Sequence, residues 1–534
     1  MHRFQFRAAP KTLSALQAAL LLFSSLAGVA YGRAGANVSG TVRDSSGAVV
    51  SDAAVSLLTS QQATVGAAKT DSQGRFTIPA VPGGQYLLVI TSLGFASHQQ
   101  AVSVGSAAID DLEVVLNPGS LSEEVTVTTN PGVVETTGSV SQRVNVIGED
   151  QIEERAKSIV AQVANEEAGV HLQRTSPSIA GIFVRGLTGN KVNVFIDGVR
   201  YSTSAMRGGI STFLGLIDPA ILQGVEILRG PNSAQYGSDA IGGSVQFLTR
   251  TPYFSTDAPN FHGKVGTFFN SADAGFGSSL VTTYATKSVG LLANLTGRRV
   301  NTLRGGQGVD SHSAVTRFLG LSSDLVIDGR YPDTAFTEYG GFLKLNWSPS
   351  SGSQISASYL RSQQDYGKRF DQLLGGDGNL IADLRNFMLD FVTLRYDKVK
   401  AGWFDNVSIG YSFNSQREER VNQGGNGNPN GAINHEPERT NVHGVRGFAG
   451  KQWGVRNNLV LGGDYYHERI NALSYGKNPV TGVDTLRRGR VPHNAAYKSG
   501  GLYAQDLVDA IRGRLRFVGN VRYSAASYTA RAGD

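Results

Sequence analysis

Few residues of this chain are spaced for covalent or metal chemistry. Cysteine is absent, which excludes disulfides, thiolate metal sites and a cysteine nucleophile. His467-Glu468 starts like a helical zinc-hydrolase motif, but position 471 is Asn where the second imidazole is needed. Ser474-Tyr475-Gly476-Lys477 fits S-x-x-K, yet it sits in a Gly/Asn/Pro-rich stretch that reads as a loop. Gly242-Gly243 leads into a strand rather than a helix, and no G-x-x-x-x-G-K-[ST] occurs, so no phosphate cradle is expected. The expectation is a protein without catalytic residues, resident metal or cofactor, and not an enzyme.

The more informative residues are charges beside apolar runs. Arg185, Glu226 and Arg229 lie in Ile182–Gly186 and Val225–Pro231, where a charge should be paired rather than left alone. They are expected to form one charge-paired group holding strands to each other or to a neighbouring wall. The elements that would carry them form a small mixed α/β domain over 133–252. Val144–Ile147 reads as a strand, and a helix opens at Asp150 with Gly148 or Asp150 as cap. Ile159–Glu167 continues helical, and apolar strands follow at 182–186, 191–199 and 225–231. Asp197-Gly198 marks a tight turn, Gly230-Pro231 ends a strand, and Gly242-Gly243 permits close backbone approach or positive φ before a last strand.

In front lies a shorter unit, 37–116. VSGTV, AAVSLL, RFTIP, QYLLVI and LEVVL are separated by turn signals such as Asp71-Ser72-Gln73-Gly74 and Pro82-Gly83-Gly84. This punctuation predicts an antiparallel β-sandwich. The series G-T-V-x-D-x-x-G, T-D-x-x-G-x-F and P-G-G-x-Y resembles the carboxypeptidase regulatory-like domain. His98 is its one histidine, so an accessory module is implied and not a zinc site. A linker, 117–132, contains Glu124-Val125-Thr126-Val127-Thr128 between Asn-Pro-Gly breakers. Such an extended segment can add to another protein's sheet, or it can be the first strand of the next domain.

Residues 1–32 combine Arg3, Arg7 and Lys11 with an apolar run, Leu13 to Ala30. This is the pattern of a signal peptide cleaved between Ala30 and Ala36. Net charge is +6, too small a basic footprint for nucleic acid once that leader is removed. The 66 glycines exceed the ordinary share of roughly 7%, and charged residues are 17% against about 25%, which suits turn-rich β-structure. No later run resembles a transmembrane helix, so residence in a membrane would require a closed β-barrel.

From 253 to 534 the chain repeats alternating strands. Candidates are 261–270, 277–287, 289–300, 337–348, 353–362, 386–398, 405–415, 441–452, 457–467, 497–507 and 513–524. Their connections alternate short and long, the long ones being 301–336, 363–385, 416–440 and 468–496. Leu343, Leu345 and Trp347 oppose Lys344 and Asn346, while Ile409, Tyr411 and Phe413 oppose Ser408, Ser412 and Asn414. Alternation does not say whether the apolar face meets a core or lipid.

The ordered blocks I-F-V-R-G-L, V-F-I-D-G-V and D-P-A-x-L-x-x-V-E-I-L-R-G-P-x-S-x-x-Y-G-x-x-A-I-G-G resemble the plug domain of TonB-dependent outer-membrane receptors. They place Arg185, Gly186, Asp197, Gly198, Glu226, Arg229, Gly230, Pro231, Tyr236, Gly237, Gly242 and Gly243 in the plug motif. The resemblance implies a mainly β protein: front sandwich, plug, then part of a transmembrane antiparallel barrel. Eleven strands are about half of a 22-stranded plugged transporter, so a truncated chain with a missing C-terminal barrel half is expected. The resemblance further implies an importer in the outer membrane. Its partners would be lipid, a TonB-type inner-membrane complex meeting Glu124–Thr128, and a small-molecule ligand. That ligand would be a ferric siderophore, haem or cobalamin, or else an oligosaccharide. His435, His467 and His493 are candidate haem contacts. A secreted β-sandwich adhesion or carbohydrate-binding protein is the competing class.

Overall fold

The computed structural model describes residues 35–530, apart from 93–94, 96–97, 106, 117–124, 127–134, 137–139, 141, 206–212, 256–257, 306–329, 351, 374–378, 425–426, 455 and 512–513. The expected leader and most of the 117–132 linker therefore lie outside the described residues.

The front unit packs two sheets. Strands β1 (Ala36–Asp44), β2 (Ala54–Leu58), β3 (Thr64–Lys69), β4 (Arg75–Val81), β5 (Gly84–Thr91), β6 (His98–Val104) and β7 (Ile109–Leu116) pair in the orders β4-β1-β7 and β3-β2-β5-β6. Val38, Leu57, Ile78, Leu88 and Ile90 fill the space between the sheets. One expectation is corrected: the sandwich is not wholly antiparallel, because β7 pairs with β1 in parallel. The chain leaves β1, builds the opposite sheet and returns as an edge strand, and a crossover of that length permits parallel pairing.

The plug carries a five-stranded sheet, β8 (Arg143–Gly148), β11 (Val192–Ile196), β12 (Val199–Arg200), β13 (Leu222–Arg229) and β14 (Gly243–Thr249), in the order β8-β13-β14-β11-β12. A separate hairpin joins β9 (Val170–Ser176) to β10 (Ile179–Val184). A helix, Glu149–Arg155, starts at Gly148, whose N–H donates to the Gln151 side chain at 3.1 Å. Glu149 and Asp150 in its first turn suit the positive end of the helix dipole. The expected helix over 159–167 is one α turn, Val160–Val163, followed by a 3₁₀ turn, Ala164–Glu166.

Eleven long strands then form one antiparallel wall: β15 (Asn260–Asn270), β16 (Gly275–Ala285), β17 (Val289–Val300), β18 (Phe336–Ser350), β19 (Ser353–Asp365), β20 (Ile381–Ala401), β21 (Phe404–Gln423), β22 (Ile433–Trp453), β23 (Asn457–Asn471), β24 (Ala495–Ile511) and β25 (Leu515–Thr529). They follow chain order, and among the described residues β15 and β25 do not pair with each other. The expected long loops 416–440 and 468–496 are shorter than supposed. β21 and β22 are 20 and 21 residues long, well past the roughly 9–11 needed to cross a bilayer, so they project beyond it.

Burial in this wall is inverted relative to a soluble protein. Leu343 and Trp347 are 56% and 45% exposed, whereas Lys344 and Asn346 between them are 6% and 1% exposed. The apolar face looks outward to lipid and the polar face inward to the plug. Trp347, Trp403 and Trp453, the only tryptophans in the sequence, all lie near the short-turn rim and are exposed, as in an interfacial aromatic belt. Trp403 and Trp453 meet edge to face at 6.0 Å. On β20 a bulge between Arg385 and Met388, with Asn386 at φ 49°, shifts the inward parity so that Phe387, Leu389 and Phe391 face the plug. No helix among the described residues is long and apolar enough to cross a membrane.

Candidate functional site

The functional region is the seam between plug and wall. Its first fixed point is the turn joining β11 to β12. Asp197 and Gly198 both have positive φ, 46° and 73°, the pairing of a tight hairpin turn that keeps strand twist. Asp197 accepts from the N–H and hydroxyl of Thr249 at 2.8 and 2.6 Å and from the Lys344 Nζ of the wall at 3.2 Å. Lys344 also donates to Thr249 and Thr251. Burial works to raise the Asp197 pKa, but Lys344 and Thr249 hold the carboxyl below its ordinary value. Glycine suits the φ of 73° next to it, and a Cβ there would displace the Arg446 guanidinium of the wall.

Asp218 is the second fixed point. It caps the Pro219–Ile221 turn, accepting from Ala220 N–H at 2.7 Å. From the wall it accepts Thr296 Oγ1 at 2.6 Å and the Arg298 guanidinium, with Glu338 on the far side of Arg298 at 3.9 Å. Burial opposes ionisation here too, and Arg298 with Thr296 overcomes it, so the carboxyl sits below its usual range.

On β15 Lys264 pairs with Glu153 of the plug helix, and toward β21–β25 the seam is held by hydrogen bonds. The Tyr201 carbonyl accepts from Asn414 at 3.0 Å and Gln416 at 2.9 Å. Ser204 N–H and hydroxyl donate to Glu468 at 2.8 and 2.6 Å, and Gln235 donates to Gln505 at 2.7 Å. Beside these bonds lies a cavity of about 310 Å³, lined by Gln235, Tyr236 and Gln246 of the plug and by Arg395, Arg446, Asp464, Tyr503 and Arg522 of the wall.

The expected Arg185–Glu226–Arg229 group does not assemble. Residues 226 and 229 are three apart on β13, and a strand alternates faces with period two, so they point to opposite sides. Glu226 is 2% exposed and faces the way Gln246 does. Arg229 instead donates to the Ala168 carbonyl at 2.6 Å. Arg185 is exposed at φ 51°, in a turn with Gly186, its guanidinium against Gly230. Pro231 follows just past the end of β13, where its carbonyl accepts from Gln142 at 3.4 Å. Tyr236 packs on Phe195 at 5.1 Å, and burial together with Glu226 pushes its hydroxyl pKa up. Gly237 ends a short helix, Ser233–Tyr236, and Gly242 precedes Gly243. At Gly243 (φ 153°) a Cβ would lie 2.2 Å from the Leu228 carbonyl oxygen.

Of the linker segment, Val125 and Thr126 are described, and they pair antiparallel with Thr136 and Glu135. Glu124, Val127 and Thr128 lie outside the described residues. The three candidate haem contacts do not converge. Glu468 points inward to Ser204, so His467 beside it points outward. His435 shares the outward parity of Val445, bonds Glu419 at 2.9 Å and stacks on Tyr475 at 4.7 Å. His493 accepts from Ala472 N–H at 3.3 Å. The residues that the sequence reading missed are Asp218, Arg298 and Glu468. For Arg298 and Glu468 the signal was inward parity: a charge on the polar face of a wall strand has the plug as its neighbour.

Inverted wall, enclosed domain and polar seam are the layout of a membrane β-barrel wall around a plug. Residues 136–244 match the TonB-dependent Receptor Plug Domain family and 37–117 match the Carboxypeptidase regulatory-like domain family. The chain thus resembles TonB-dependent receptors in its plug domain and shares its fold with outer-membrane transporters. Two relatives named vitamin B12 transporter BtuB, from Vibrio vulnificus strains CMCP6 and YJ016, are 30% and 34% identical. The matches cover 33% and 25% of this chain, and only 29% and 23% of those proteins. The fold is shared with the copper transporter OprC (TM-score 0.57, 14% identity, 72% of this chain and 54% of that one). It is shared also with the ferric citrate transporter FecA (0.55, 14%, 73% and 57%) and the FrpB iron transporter of Neisseria meningitidis (0.54, 14%, 72% and 60%).

Proposed function

We propose that this chain belongs to an importer that carries a scarce metal chelate (a ferric siderophore, haem or cobalamin) across the outer membrane. The observation that carries the reading is the family-matched plug seated in the lumen of an inside-out wall. The names of the relatives, a cobalamin transporter and transporters of ferric citrate, iron and copper, support the ligand class. In this reading Glu124–Thr128 is the handle. An inner-membrane TonB-type complex adds a strand to it and pulls, and plug motion opens the seam. No bond of the ligand is made or broken, so no residue is assigned a catalytic role. The leader at 1–32 is assigned to export.

The test is growth of a deletion strain on a panel of ferric siderophores, haem and cobalamin, complemented by the full-length gene. Growth on one chelate should depend on the gene. Val127→Pro removes a backbone donor needed for strand addition, and should abolish uptake while surface binding of that chelate persists. Uptake at the normal rate by the proline variant would overturn the coupling role, and gene-independent growth on the whole panel would overturn the ligand class.

A further inference from the structure

The front sandwich does more than precede the plug. Its β2–β3 connection is a tight turn: Thr59 N–H donates to the Ala63 carbonyl at 2.8 Å, Gln62 N–H to the Thr59 carbonyl at 2.8 Å, and Gln62 has φ 60°. Turns between strands ordinarily lie at the surface, where water satisfies their polar groups. This one is buried, with Ser60 5% exposed, because it enters the seam from the short-turn side.

Four polar groups of the turn and its flank find partners there. The Gln61 carbonyl accepts from Arg395 at 2.5 Å, and the Gln61 side-chain oxygen accepts from Arg446 at 2.9 Å. Thr251 donates to Gln62 at 2.7 Å, and Thr64 N–H donates to Gln354 at 2.8 Å. Behind the tip, Leu58, Leu87 and Val89 of the sandwich pack on Leu248 and Tyr253 at the end of the plug. The seat is a notch in the wall. Arg395 and Arg446 flank Gly410 in register, and the missing side chain leaves room between the two guanidiniums. Ser60, Gln61 and Gln62 then form one boundary of the 310 Å³ cavity. Arg446 also abuts Gly198, so one wall residue bears on sandwich and plug together.

We propose that the 59–63 turn is a stopper, an internal closure that shuts the gap between the plug and β20–β25 from the short-turn side. Withdrawal bares Arg395 and Arg446 to the gap, which then presents two cations to an oxygen-rich or anionic solute. Pulling the plug disturbs the stopper through their shared seat on Arg446. The proposal rests on passage beside the plug, but its test needs neither the ligand nor energy coupling.

The experiment uses the full-length protein in its outer membrane and purified in planar bilayers, with vancomycin entry and ion conductance as probes. Deleting residues 60–62 should raise both several-fold, and Arg395→Gln with Arg446→Gln should do the same with the sandwich intact. A deletion variant present at normal levels with unchanged conductance would overturn the stopper. Should the deletion fail to fold, Ser60→Cys decides, with labelling read at position 60 itself by peptide mass analysis. A membrane-impermeant maleimide should label it slowly in the otherwise unchanged protein and several-fold faster with the two arginines replaced. Equal labelling in both would overturn the proposal. Loss of chelate uptake with the stopper signals intact would count against the transport reading alone.

Discussion

The plug touches its wall on two sides, and the two are built differently. Toward β16–β20 the contact is apolar and ion-paired. Phe213 and Leu214 share a core with Val281, Phe342, Phe387 and Phe391 of the wall, and Asp197 and Asp218 each meet a wall cation. Toward β21–β25 the plug is held by hydrogen bonds to Asn414, Gln416, Glu468 and Gln505, and a cavity remains. Hydrogen bonds can be handed over to water at little net cost, whereas buried apolar contacts cannot. The difference makes one side an anchor and the other a side that can open.

The largest effect should come from the anchored side. Phe387→Ala empties a fully buried position that meets Phe213 at 5.3 Å, and should cost about 3–5 kcal/mol. A lowered urea midpoint for plug unfolding in the purified full-length protein reads this directly. A cost no greater than that of a β21–β25 variant would erase the distinction between the sides.

Acid should come next. Asp197 and Asp218 both have depressed pKa values in the folded state. A depressed carboxyl contributes stability above its unfolded pKa of about 3.9 and loses it as pH falls through the folded value. The anchored side should therefore hold at and somewhat below about pH 4 and release only in stronger acid, as followed by protease cleavage of the plug. Lys344→Met should move that release to higher pH. Release at the same pH in both proteins would show that the Asp197–Lys344 pair does not anchor the plug.

The smallest effect should be on the opposite side. Gln416→Ala removes one of two donors to the Tyr201 carbonyl and leaves Asn414 in place, so about 0.5–1.5 kcal/mol is expected. The same urea titration measures it. A loss matching that of Phe387→Ala would mean that the hydrogen-bonded side is an anchor too.

Much of this was legible in the residues. Strand period and turn residues located the wall strands, and the Asp197-Gly198 turn followed from its dipeptide, because these are local preferences of the chain. Other features were not legible. Glu226 and Arg229 were grouped by proximity in sequence, although period two separates them. The bulge at Asn386 reverses strand parity without any Gly or Pro to announce it. The role of Gln61 could not be read at all, since its partners Arg395 and Arg446 lie hundreds of positions away.

By itself the sequence determined which residues share a face. Leu343, Leu345 and Trp347 must lie opposite Lys344 and Asn346, because a pleated strand alternates side chains whatever surrounds it. Only the tertiary structure decided which face is inside. The wall curves around a plug whose own surface offers Asp197, Asp218, Ser204 and the Tyr201 carbonyl, so the polar faces gain partners by pointing inward. The apolar faces are left to the membrane. That choice is a property of the assembled layers and not of any strand, since the same alternation would place Leu343 in the core of a sandwich.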